Sequence, residues 1–158
     1  MRLAACGTVL ALACGYSFSH GGRLPAGAAA LGVAAPLNRT AQAEAGGLFA
    51  AALREELSAR GQLGDGPSAE LEIVALRSSP SALAGAGAFA FRLDAEVRLR
   101  IRDAAGGALY EDGAVLGDDY LAGVDVLGTE ANRRAALRRL CTAIARELVR
   151  RMTAAGRL

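Results

Sequence analysis

The stretch Phe91-Arg92-Leu93-Asp94-Ala95-Glu96-Val97-Arg98-Leu99-Arg100-Ile101-Arg102 alternates apolar and charged residues without a break. A period of two belongs to a β-strand, in which successive side chains point to opposite faces of a sheet. Phe91, Leu93, Ala95, Val97, Leu99 and Ile101 therefore share one face, and Arg92, Asp94, Glu96, Arg98, Arg100 and Arg102 the other. A sheet built on this strand has one buried face and one wet face.

Towards the C-terminus, Gly106-Gly107 turns the chain and residues 109–116 read as a further strand, with Gly113 a candidate bulge. Asp118-Asp119-Tyr120 and residues 121–128 read as a longer connection. Residues 129–155 carry a helical stripe of Leu137, Leu140, Cys141, Ile144, Leu148 and Met152, with Thr129 as the expected N-cap. Towards the N-terminus, residues 78–88 are rich in Ser, Ala and Gly and read as a loop or the tip of a long hairpin. Residues 69–77 form a strand with Leu71, Ile73 and Ala75 on one side, preceded by a Gly64-Asp65-Gly66-Pro67 turn. A helix over residues 45–60 presents Leu48, Phe49, Ala52, Leu53 and Leu57 on one stripe and ends at Gly61. Before it, residues 31–35 suit a short strand stopped by Pro36, and Asn38-Arg39-Thr40 has turn chemistry. The expected fold is α+β, with two helices packed on one face of a four-stranded mixed sheet in the order β-α-β-β-β-α.

The N-terminus has a different composition. Arg2, the uncharged residues 3–13 and the small residue Ala13 directly before Cys14 follow the order of a secretory signal. That apolar run is too short for a bilayer, which needs roughly 20 residues. A cysteine at such a site is the acceptor of a lipid anchor, so residues 1–13 are expected to be a signal peptide, 14–28 a tether and 29–158 one domain. Ala11 stands where such signals usually carry Leu. Leu3-Ala4-Ala5-Cys6 is a rival match that requires a start further upstream.

The chain has 158 residues, with 18 basic against 16 acidic, and all of the basic ones are arginine. Removing Arg2 with the signal leaves 17 against 16, which is no nucleic-acid signature. Aromatic residues make up only 4 % and Trp is absent, so the core must rest on aliphatic side chains. With Cys6 removed and Cys14 acylated, Cys141 has no mate; on its apolar stripe it reads as a small buried hydrophobe.

No catalytic constellation is legible. His20 is the lone histidine and sits in the tether. There is no HExxH, Cys-x-x-Cys, GxSxG or phosphate-cradling loop, and adjacent acids such as Asp118 and Asp119 point apart on a strand. The reading is a protein that is not an enzyme, with no cofactor and no metal site. Arg98, Arg100 and Arg102 stand about 7 Å apart on one strand face, an arrangement that suits phosphates or carboxylates. The competing reading is a solvated face balanced by Asp94, Glu96 and neighbouring strands.

Cys14-Gly15-Tyr16-Ser17-Phe18 after the signal, the strand into Pro36-Leu37-Asn38-Arg39-Thr40, and the helices around Leu48-Phe49-Ala50-Ala51-Ala52-Leu53 and Arg133-Arg134-Ala135-Ala136-Leu137-Arg138-Arg139-Leu140 resemble the LptE family. That resemblance implies an outer-membrane lipoprotein, anchored through Cys14 on the periplasmic face. It implies seating inside an LptD-type β-barrel as a plug, assistance in barrel assembly, and contact with lipopolysaccharide. Arg77, Arg92, Arg98 and Arg100 are the candidate lipopolysaccharide-binding residues. The alternative is another lipid-anchored periplasmic interaction module, such as a cell-wall synthase activator.

Overall fold

The alternating stretch lies at the centre of a long antiparallel ladder in the computed structural model, which describes residues 23–84 and 88–156. Strands β3 (Leu63–Ala84), β4 (Ala88–Arg102) and β5 (Ala108–Leu121) follow one another as a meander. On the far side of β3 lie two short parallel strands, β1 (Leu31–Val33) and β2 (Leu37–Asn38), so the sheet is mixed. Helices α1 (Ala45–Ala59) and α2 (Val126–Ala155) pack side by side on one face. The α+β class and the two-helix layer are as expected, but among the described residues the sheet has five strands rather than four. Pro36 has no N–H to offer a ladder, so pairing to β3 breaks after Val33 and resumes at Leu37.

The core follows from the two periodicities. Leu93, Ala95, Val97, Leu99 and Ile101 of β4 are each no more than 1 % exposed, and they meet Phe49, Leu53 and Leu57 of α1 and the full expected stripe of α2. Cys141 lies within that stripe, and burial pushes its thiol up to about 12, which makes it an inert packing group. Gly61, at φ +65, ends α1 as expected. Its N–H donates to Ser58 O at 2.9 Å and that of Gln62 to Leu57 O at 2.8 Å, the paired bonds of a Schellman motif.

Four boundaries differ from the sequence reading. Gly64-Asp65-Gly66-Pro67 is not a turn before β3 but a looped-out part of it: β1 pairs Leu31 with Leu63 and then Gly32 with Ser68. The glycine at 66 permits this crossing, since a Cβ there would lie 2.2 Å from Ala30 O. Residues 78–84 continue β3 as one arm of a long hairpin. Arg77, Ser78, Ser79, Pro80 and Ser81 are all exposed, so no buried face imposes alternation on them. A bulge at Val74 also turns Ala75 to the open face opposite Glu96 and brings Leu76 to the core side opposite Ala95, against the expected inward Ala75. Asp118, Asp119 and Tyr120 belong to β5, where Asp119 faces Arg92 and Tyr120 faces Phe91. Finally, α2 starts at Val126 and not at Thr129. Asp125 caps it by accepting the Gly128 N–H at 2.6 Å, while the Thr129 hydroxyl accepts the N–H of Gly123.

Candidate functional site

The helix layer leaves the opposite sheet face open, and the register of β3, β4 and β5 arranges its charges in rows. One row holds Glu70, Arg100 and Glu111, the next Glu72, Arg98 and Gly113. Further along come Arg77, Asp94 and Gly117, then Ser79, Arg92 and Asp119. The four arginines singled out from the sequence, Arg77, Arg92, Arg98 and Arg100, thus share one face. Cys14 and His20 lie outside the described residues.

Acids accompany most of this row. Arg100 reaches Glu111 at 3.0 Å and Glu72 at 3.6 Å, Arg98 reaches Glu96 at 3.4 Å, and Arg92 reaches Asp94 at 3.0 Å and Asp119 at 3.7 Å. Arg102 pairs with Glu70 at 3.0 Å. Arg77, opposite Asp94, has no carboxylate within ion-pair distance among the described residues. The most enclosed acid is Glu72, whose side chain is only 11 % exposed and which also accepts a hydrogen bond from Arg39 beyond β2. That bond holds its carboxyl below the usual range against the opposing effect of burial, and the fields of Arg39, Arg100 and Arg98 add to it. Ion pairs between exposed side chains stabilise by little, roughly 0–1 kcal/mol each.

Glycines shape the face. A Cβ on Gly117 would lie 2.2 Å from Asp94 Oδ1 and 2.7 Å from Arg92 Nε, so the Arg92–Asp94 pair lies flat across this position. Asp118 and Asp119 point apart, Asp118 to Arg139 on α2 at 2.7 Å and Asp119 to the open face, so they make no paired metal site.

A second surface lies where the sequence suggests only a connection. Phe89, Leu121, Val124, Val126 and Leu127 are all exposed at one end of the sheet, the last three by at least 81 %. The Ala122 N–H on Phe89 O, at 2.8 Å, joins the two sides of this cluster. Its signal was an apolar run, Val124-Asp125-Val126-Leu127, whose one charged residue is used as a helix cap. The chain arrives at the other end of α2, where a Cβ on Gly156 would lie 2.2 Å from Arg23 O. A 30-residue helix is ~45 Å long, so the described chain begins that far from the apolar end.

A family model for LptE, lipopolysaccharide-assembly, matches residues 28–152. The chain belongs to the LptE family. That match spans the sheet and nearly all of both helices. No curated protein matches the sequence. Among solved structures, a lipoprotein from Caulobacter crescentus CB15 is similar with a TM-score of 0.59 at 15 % identity, over 78 % of this chain and 91 % of that one. A minor lipoprotein from Acinetobacter baumannii gives 0.54 at 16 %, over 81 % and 92 %. The PelC dodecamer protein from Paraburkholderia phytofirmans gives 0.55 at 12 %, over 80 % and 88 %. At these identities the likeness is one of fold. Among the described residues of this LptE chain, no helix is long and apolar enough to cross a membrane.

Proposed function

We propose that this LptE chain is an outer-membrane lipoprotein, acylated at Cys14 on the periplasmic face, that plugs an LptD-type barrel and helps assemble it for lipopolysaccharide transport. The observation that carries the reading is the family match over residues 28–152. The shape of the domain supports it. A plug needs a firm body with surfaces suited to a polar lumen, and a sheet whose open face balances Arg against Glu and Asp provides one. The exposed apolar end, remote from where the chain arrives, is a second surface fit for burial against protein. The role requires no bond to be made or broken.

On this reading Arg77, Arg92, Arg98 and Arg100 meet the phosphates of lipopolysaccharide, the last three by exchanging their surface carboxylates for them. An Arg98→Glu, Arg100→Glu variant is expected to bind labelled lipopolysaccharide several-fold more weakly than the parent. Unchanged affinity would assign the row to electrostatic balance alone. For the anchor, Cys14→Ala is expected to abolish acylation and, in cells depleted of the barrel, to move the protein out of the membrane fraction. Acylation that persists in mass spectra of that variant would point to Cys6.

The alternative, a lipid-anchored activator of a cell-wall synthase, shares the anchor and the two-faced domain and differs in the partner recovered with it.

A further inference from the structure

β5 ends the sheet, with β4 on one side and, among the described residues, no strand on the other. Its register to β4, with the Ala122 N–H on Phe89 O, turns the backbone groups of its even-numbered residues towards β4. Those of Gly113, Val115, Gly117, Asp119 and Leu121 point outward. Such a row of donors and acceptors is a template for another strand.

α2 runs beside this edge, and three of its side chains reach the outward carbonyls. Arg151 Nη1 donates to Gly113 O at 3.0 Å, Arg139 Nη2 to Asp119 O at 3.2 Å, and Asn132 Nδ2 to Leu121 O at 2.9 Å. Carboxylates hold the two arginines in place: Asp118 lies 2.7 Å from Arg139, and Glu147 2.7 Å and Asp112 3.8 Å from Arg151.

We propose that α2 guards β5 against strand addition, and that without the guards β5 pairs with β5 of a second copy of this chain. The edge itself argues for this occupant. Two copies related by a two-fold axis present identical strands antiparallel, so each outward donor meets an acceptor of the same spacing. Between the guarded Gly113 and Asp119 the open-face residues are Val115 and Gly117, neither of them charged, so no like charges oppose the approach there. In the intact chain the forks occupy the carbonyls at both ends of that stretch and set cations against an incoming strand.

The test uses the full chain in mild detergent, with protein mass measured by light scattering. The unchanged chain is expected to be monomeric. A variant carrying Asn132→Ala, Arg139→Ala and Arg151→Ala is expected at twice that mass with an unchanged circular dichroism spectrum. Adding Val115→Pro removes an outward N–H that the β4 ladder does not use, and is expected to restore the monomer. Arg138→Ala with Arg146→Ala, which removes as many arginines from α2 as the guard set does, is expected to stay monomeric. A folded triple variant of monomer mass overturns the proposal, as does a dimeric unchanged chain. Association that survives Val115→Pro, or that the Arg138 and Arg146 changes produce equally, also overturns it. Should the triple variant not fold, the single variants Arg139→Ala and Arg151→Ala decide: each is expected to raise the dimer fraction at equal concentration, and no rise in either overturns the proposal.

Discussion

Glu147 sets the clearest electrostatic expectation. Arg150 and Arg151 both donate to its carboxylate, at 2.7 and 2.8 Å and at 2.7 Å, and these bonds hold it down to about 2 from 4.5. A carboxyl depressed by folding contributes stability above its unfolded value, and that contribution is lost as pH falls from about 4.5 towards about 2. Urea unfolding of Glu147→Gln should therefore show a flatter decline of stability across that window than the parent, with the difference between the two largest above it. Parallel curves would contradict the assignment. Single residues were legible where a period places them: the arginines of β4 and the buried Cys141 follow from alternation and the helical stripe. The Arg39–Glu72 contact did not, because it depends on how β2 registers against β3, and two residues of strand carry no readable period.

At the scale of elements, two glycines separate a costly contact from a cheap one. A Cβ on Gly123 would lie 2.5 Å from Gly128 C and 2.6 Å from Thr129 N, both backbone atoms at the start of α2. Gly123→Ala must shift that helix start and is expected to destabilise the fold by about 1–3 kcal/mol. The atoms nearest a Cβ on Gly117 are the ends of the Arg92 and Asp94 side chains, which swing away, so Gly117→Ala is expected to cost less than about 1 kcal/mol. Equal costs in urea unfolding would show that one of these contacts is misread. The same contrast explains which boundaries were legible. β4 and the centre of α2 lie between a core and solvent, and their sequences record it. The far arms of β3 and β5 run towards the exposed end of the sheet, and there Ser, Gly and Asp pair as strands while reading as loop. The first turn of α2 contains β-branched Val126 and Gly128, both weak helix formers, so only the cap at Asp125 announces it.

The whole molecule is a sheet with a balanced charged face, a helix layer that shields its core and one edge, and an apolar end. Two periodicities made the α+β class and the helix layer readable. The apolar end was legible only as the short run at Val124, Val126 and Leu127, because Phe89 and Leu121 come from β4 and β5 and only folding gathers them with it. The LptE family match and this division of surfaces support the central proposal, that the chain works inside an LptD-type barrel. Recovering the tagged full chain from solubilised outer membranes tests that claim most directly. The account predicts an equimolar complex with a large barrel of the LptD type. Recovery of the chain with a cell-wall synthase, or without any barrel, would contradict it.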